Sequence, residues 1–381
     1  MNVILSVDPV RFPLTGIGRY TYELARALEA AEGVETLRYF SGASFVAGLP
    51  SASDTSDGGY GLRRAVQKSA LAIEVYRLLM PLLRTRALRG CSDSLYHGTN
   101  FFIPPFSGKS VATFHDLSPF TWAHCHPAQR IRYLQKELGK TLERADALIT
   151  DSEYTRQELA AYFSWPIERI HTVPLASSDE FRVRGADALR DALNRHGLVY
   201  GGYSLFVGTL EPRKNIETLL DAYSRLPVSL KKRWPLVLTG YQGWRNDAIR
   251  ERLDRAVDEG WARHLGFVPG EDLPLLFAGA RLFTFPSLYE GFGMPVLEAM
   301  SSGVPVVCSN SSSLPEVAGS VALMCDPMDI DTLTDLIARG LEDDSWRATA
   351  ITEGLKHAAS FSWQRCAMQT MSVYERVLSA G

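Results

Sequence analysis

No stretch of 18 consecutive apolar residues occurs in the chain, so no helix is expected to span a bilayer, whose hydrocarbon core takes about 20. Cysteine is scarce. Five are present, Cys91, Cys125, Cys308, Cys325 and Cys366, an odd number with no C-x-x-C pair. That gives neither a disulfide framework nor a zinc or dithiol motif, and the five are expected as small core residues. Positive charge is not in excess either: 40 Lys and Arg against 43 Asp and Glu leave a formal net charge of −3. A surface that follows nucleic-acid phosphates leaves its domain basic, so no nucleic-acid partner is expected. Residues 1–8 reach an acid after a short apolar run, without the basic region and long apolar stretch of a secretory signal. A reducing cytoplasm is the expected location.

With 46% hydrophobic and 22% charged residues, the chain can bury substantial cores and lacks the bias of a disordered one. Its 381 residues are too many for one core of ordinary size, which predicts two domains. Short apolar runs alternate with helical spacing, the signature of parallel sheets covered by helices. Strands are predicted at 3–7, 36–40, 95–96, 111–114, 147–150 and 170–173, and a second series at 204–207, 236–239, 265–268, 282–285, 304–308 and 322–324. Between them, 176–200 is polar, then helix-like, ahead of Gly201 and Gly202. The prediction is therefore α/β: two Rossmann-like, doubly wound parallel-sheet domains facing a cleft, at 1–178 and 201–360, with a linker region at 179–200. Ligands of such sheets sit beyond the carboxyl ends of the strands. That rule points to His97, His115, Asp116, Ser152, Gln242 and segments 209–215, 287–293 and 309–313.

The run Ser287-Leu-Tyr-Glu290-Gly291-Phe292-Gly293-Met294-Pro295-Val-Leu-Glu298 reads as strand end, loop and helix. Pro295 suits a first helical turn, and the glycines let backbone approach a ligand closely. Free N–H groups at the helix start, with the positive dipole end, make an anion site that fits a diphosphate. Glu290 and Glu298 flank it, and carboxylate oxygens accept hydrogen bonds from a ribose diol or a sugar ring. The plain structural alternative is a glycine turn and a capped helix. Phe206-Val-Gly-Thr209-Leu-Glu211-Pro-Arg213-Lys214-Asn215 opens a strand into a basic loop. Arg213 as a fork and Lys214 as a point charge can neutralise a leaving diphosphate; two solvent-facing bases before a helix are the alternative.

Together these segments resemble the retaining glycosyltransferases of family 4. Further matches are Thr15-Gly16-Ile-Gly18, Thr113-Phe-His115-Asp116, Gly266-Phe-Val-Pro269, and the pair Glu290 and Glu298. The Thr209 to Asn215 form is that of bacterial mannosyl- and rhamnosyltransferases of surface-polysaccharide and O-antigen synthesis. The resemblance implies the GT-B fold, with a C-terminal helix at 361–381 crossing back to the first domain. It implies that Arg213 and Lys214 clamp the diphosphate of a nucleotide-sugar donor, helped by amides of Gly291, Phe292, Gly293 and Met294. Glu298 would bind the ribose hydroxyls and Glu290 the donor sugar; His115 would reach the sugar near C6 and the reacting face, and Gly16 the diphosphate. Catalysis would fall to His115 and Glu290, with no metal or other cofactor. Many relatives carry Arg where this chain has Thr209, which throws more phosphate charge onto Arg213 and Lys214. The donor is expected to be GDP-linked mannose or a 6-deoxy relative, and the acceptor lipid-linked or an oligosaccharide.

Other readings stay open to test. His97 is either structural or on the acceptor side. His124 and His126 lack a third metal ligand, and Asp329-Ile-Asp331 looks like a helix cap. A nicotinamide oxidoreductase is disfavoured because no third glycine follows Gly16 and Gly18 at the right spacing. A UDP-sugar transferase, a nucleotide-sugar epimerase, a phosphorylase or an inactive scaffold of a polysaccharide-assembly complex would share the fold. Segment 62–90 carries seven bases, Arg63, Arg64, Lys68, Arg77, Arg84, Arg86 and Arg89, against Glu74, with Leu62, Val66, Ile73, Tyr76 and Met80 on one helical face. It reads either as a peripheral contact with anionic membrane or as a helix packed in the first domain with solvated arginines.

Overall fold

A computed structural model describes residues 1–50, 70–123, 128–241, 243 and 247–380. β1 (Asn2–Ser6), β2 (Thr36–Ser41), β3 (Ser44–Val46), β4 (Leu95–Gly98), β5 (Ser110–Phe114), β6 (Ala147–Thr150) and β7 (Ile170–Thr172) form one sheet, in the order β3-β2-β1-β4-β5-β6-β7. All its neighbours are parallel except the β2–β3 hairpin. A second sheet joins β8 (Ser204–Val207), β9 (Leu236–Thr239), β10 (Ala262–His264), β11 (Leu282–Phe285), β12 (Val306–Ser309) and β13 (Leu323–Cys325), in the order β10-β9-β8-β11-β12-β13 and parallel throughout. Every residue of β6, β9 and β11 is buried. This is why these segments read as unbroken apolar runs: crossover helices cover both faces of a parallel sheet.

Two local expectations need correction. The strand placed at 265–268 lies earlier, at Ala262–His264; Gly266 takes a left-handed turn, φ +65°, and leaves Phe267 48% exposed. The edge strand β3 was not foreseen, because three residues are too few to display alternation. Within the expected linker, helix Ala186–Arg195 buries Leu189 and Leu193 against helix Leu273–Gly279 of the second unit. Capped by Ser362, which accepts from the Arg365 amide, the last helix, Trp363–Ser379, packs on helix Gly16–Glu29 and β6 of the first sheet. The chain thus returns to its first domain. Cys91, Cys308, Cys325 and Cys366 are buried free thiols; Cys125 lies outside the described residues, as do Gln242, His124 and His126. No helix among the described residues is long and apolar enough to cross a membrane.

Candidate active site

The loop leaving β8 tightens into a 3-10 turn, Pro212–Lys214, which sets two adjacent bases inward. Lys214 is 8% exposed and donates to Glu290 Oε1 at 2.6 Å. Arg213 reaches the Tyr289 carbonyl at 2.7 Å, Glu290 Oε2 at 3.1 Å and Glu211 Oε1 at 2.8 Å. The solvent-facing alternative for this pair is thereby excluded. Asn215, in the left-handed region at φ 56°, donates to the Pro286 and Pro327 carbonyls and ties the β8 loop to the β11 loop. Burial alone would raise the Glu290 carboxyl, but the charges of Lys214 and Arg213 outweigh it and hold Glu290 below the usual carboxylate range.

The loop after β11 is fixed by the serine run after β12. The Glu290 amide donates to Ser312 Oγ at 2.9 Å, Ser311 donates to the Leu288 carbonyl, and the Ser313 hydroxyl lies 2.9 Å from the carbonyls of both Glu290 and Phe292. Gly293, at φ +107°, then opens helix Met294–Ser301 with Pro295 in its first turn and no side-chain cap. Among the described residues, the amides of Gly291, Phe292, Gly293 and Met294 donate no hydrogen bond within the protein. These donors, at a helix start, are available to an anion. Glu298 lies one turn on, 6% exposed. Burial pushes its carboxyl up to about 7, opposed by Arg19 from the first domain.

The domains meet on this loop. Gly291 lies against His115 so closely that an added Cβ would stand 1.7 Å from the His115 carbonyl oxygen. The Gly291 carbonyl accepts from Ser152 Oγ at 2.7 Å and Thr155 Oγ1 at 3.2 Å. Tyr289 Oη accepts from the Leu117 amide and donates to Glu158. Glu316 accepts from the amides of Glu153 and Tyr154, at 2.8 and 2.7 Å, where the positive end of helix Glu153–Phe163 favours a carboxylate.

The structure gathers Arg213, Lys214, Glu290 and the segment 291–294 into one cluster, with Glu298 a turn away. His115 sits at the edge of this cluster, but both ring nitrogens are engaged within the first domain, by Asp151 and the Thr99 carbonyl. Gly16 opens its helix at the surface with open space where a Cβ would stand; the tight approach belongs to Gly18, whose Cβ would come 2.8 Å from the Pro9 carbonyl. His97 is a fully buried residue between Tyr374 Oη at 2.6 Å and Thr113 Oγ1 at 2.8 Å. Burial, then the nearby His115, lower its pKa to about 3. The acceptor-side assignment of His97 therefore falls. Asp329 caps its helix by accepting from the Thr332 amide, and no group of three or more potential metal ligands occurs among the described residues. Sequence reasoning missed Asp151 and Glu316, and gave Arg19, Glu211 and Tyr289 no role of their own, although Glu211 and Tyr289 stand in segments marked as ligand-facing. Each acts through a partner distant in sequence or from ordinary loop chemistry.

Two family descriptions match the chain: Glycosyltransferase Family 4 over residues 14–176 and Glycosyl transferases group 1 over 201–357. The chain is 45% identical over 379 residues to the O-antigen chain mannosyltransferase B of Escherichia coli, covering 98% of this chain and 100% of that one. It is 33% identical over 281 residues to the serotype-specific mannosyltransferase WbdA of E. coli, covering 71% of this chain and 34% of that longer protein. Among solved structures, Anabaena HepE in complex with UDP-glucose superposes with a TM-score of 0.72 at 16% identity, covering 100% of both chains. At that identity the likeness speaks for the fold alone, which is GT-B.

Proposed function

The chain belongs to the family-4 glycosyltransferases, and on that premise we propose that it moves a hexose, mannose or a 6-deoxy relative, from a GDP-sugar to a lipid-linked or oligosaccharide acceptor of O-antigen synthesis, with retention and without a metal. The observation that carries this reading is the convergence of Arg213, Lys214, Glu290 and the uncapped start of helix Met294–Ser301 at the carboxyl ends of β8 and β11. Two bases and a helix start supply the positive charge that a departing diphosphate needs, in a buried setting where it counts for most. Glu290, held ionised, orients the donor sugar and faces the positive charge that develops at its anomeric carbon. The leaving phosphate assists in deprotonating the acceptor on the same face, so no covalent intermediate on the enzyme is required. Incubation with GDP-α-mannose and a mannose oligosaccharide in EDTA should give an α-linked product by proton NMR. A β-linked product, or loss of transfer in EDTA restored by a divalent cation, would overturn the mechanism.

Glu298 is proposed to receive the ribose diol. Its ionised form accepts from the two hydroxyls with both oxygens and more strongly than the neutral acid, so binding should drive off the proton that the free carboxyl holds below about 7. GDP affinity should rise about tenfold from pH 6 to pH 8 and level off above, because the ionised fraction rises by that factor. Calorimetry on the wild type and Glu298→Gln checks it: a slope of equal size in the variant would assign the titration elsewhere.

A peripheral contact with anionic membrane is proposed for the helix Ala70–Ala87, although residues 62–69 lie outside the described ones. The helix exposes Leu79, Leu82 and Leu83 at 49, 68 and 49%, on one face, with Arg86 and Arg89 exposed nearby. This is a different face from the one the sequence suggested. Arg84 is withdrawn from any lipid role, since it pairs with Asp8 at 2.9 Å and donates to the Gly42 carbonyl. Each base near anionic lipid contributes about 1 kcal/mol, screened by salt. The protein should float with anionic liposomes at low salt and be released at high salt; Leu82→Asp should abolish flotation, and unchanged flotation of that variant would remove this face.

A further inference from the structure

The mechanism above gives Asp151 no part, yet it is the buried partner of a predicted site residue. His115 and Asp151 stand one residue beyond the ends of β5 and β6, and the parallel register that pairs Phe114 with Thr150 brings them side by side. His115 Nδ1 lies 2.8 Å from Asp151 Oδ2, and Nε2 lies 2.9 Å from the Thr99 carbonyl oxygen. A carbonyl oxygen only accepts, so Nε2 carries a hydrogen. At Nδ1 one proton is shared with a carboxyl group, and imidazole is the stronger base of the two, so the proton belongs on nitrogen.

Burial opposes charge on both partners, raising the Asp151 carboxyl and lowering the imidazole, so each charge depends on the other. His115 is 8% and Asp151 2% exposed, and Asp151 Oδ1 has no hydrogen-bond partner. The counter-charge that a buried carboxylate requires therefore comes from His115. The other groups around the pair do not replace it. Asp116 adds a second negative charge, His97 on β4 is neutral, and the Tyr20 ring makes a T-shaped contact with centroids 4.9 Å apart. Cys366, from the last helix and facing Asp151, is a thiol whose pKa is raised by burial. Burial alone would lower the His115 pKa; the Asp151 charge and hydrogen bond, the Thr99 carbonyl and Asp116 together raise it.

We infer that Asp151 and the Thr99 carbonyl hold His115 as a doubly donating imidazolium. His115 is then a fixed positive charge beside the Gly291 loop with no nitrogen free to take a proton, and Asp151 is its positioning residue. What this charge acts on, the leaving diphosphate, rests on the glycosyltransferase reading; the charge itself does not. Asp151 offsets this charge at a distance, so it acts at short range, at the Gly291 loop that the His115 backbone abuts.

Nitrogen-15 NMR of histidine-labelled wild type, assigned by the resonance lost in His115→Gln, should show both His115 nitrogens protonated from pH 6 to pH 8. A neutral tautomer across that range would overturn the inference, and this readout requires neither turnover nor a folded Asp151 variant. Asp151→Asn should lower the alkaline limb of the activity profile with GDP-mannose by about one pH unit or more, and reduce kcat about tenfold at pH 8, with KM for GDP-mannose little changed. An unmoved alkaline limb in a folded Asp151→Asn would also overturn it. Absence of transfer in the wild type, with its imidazolium signal intact, would instead count against the glycosyltransferase reading.

Discussion

Replacing Arg213 and Lys214 together by Ala should lower turnover with a nucleotide-sugar donor by about a thousandfold or more. One preorganised donor at a developing anion is worth about 2.7–4 kcal/mol, or about 10²–10³ in rate. The two effects will not simply add, because both bases grip the same carboxylate, Glu290. A second consequence separates catalysis from folding. Removing both bases leaves Glu290 buried with no counter-charge, which costs about 3–5 kcal/mol, so the double variant should also melt lower. Adding Glu290→Gln removes the stranded charge and should restore much of the melting temperature without restoring turnover. Transfer within a few-fold of wild type in the double variant, at saturating donor, would refute the clamp. Recovery of activity together with stability in the triple variant would show that the bases serve only the fold.

Gly291→Ala should be nearly as damaging for a purely steric reason. The new Cβ would stand 1.7 Å from the His115 carbonyl oxygen and 2.9 Å from Asp116 Cβ, and backbone on one side with a packed strand end on the other leaves nothing flexible to yield. The domains must separate by more than 1 Å, pulling the Gly291 carbonyl from Ser152 and Thr155 and Tyr289 from Leu117. A misplacement of about 1 Å can cost about a hundredfold in rate. GDP binding should change little, since the nucleotide cluster lies within the second domain. Small-angle scattering should show a larger radius for the variant at saturating GDP. Normal turnover, or an unchanged radius, would mean that the contact with His115 is not needed for catalysis.

Much of this was legible beforehand where the physics is local. Buried parallel strands must be apolar on both faces, so β6, β8, β9 and β11 announced themselves with the right bounds. The strand expected at 265–268 went astray because Leu265 and Val268 flank a left-handed glycine turn, and apolar content without an alternating pattern does not separate a strand end from a turn. Arg213, Lys214, Glu290 and Glu298 were visible because each stands at a fixed offset from a strand end or a helix start. His97 stayed open between two readings for the same reason: it too follows a strand, and nothing nearby in sequence reveals that Tyr374 lies on its ring nitrogen.

Beyond the return of the last helix, which the family resemblance implied, the sequence by itself determined the two parallel sheets and the residues that stand at the carboxyl ends of β8 and β11. Those follow from periodicity, glycine and proline placement, and motif spacing, all of which act within a few residues. Tertiary structure alone decided the rest. It turned the two bases inward onto Glu290, paired His115 with Asp151 through strand register, raised Glu298 by burial against the opposing charge of Arg19, and set Gly291 against a carbonyl of the other domain. Each depends on groups 36 to 279 positions apart in the chain. Desolvation and contact distance, unlike propensity, exist only once such groups have been packed together.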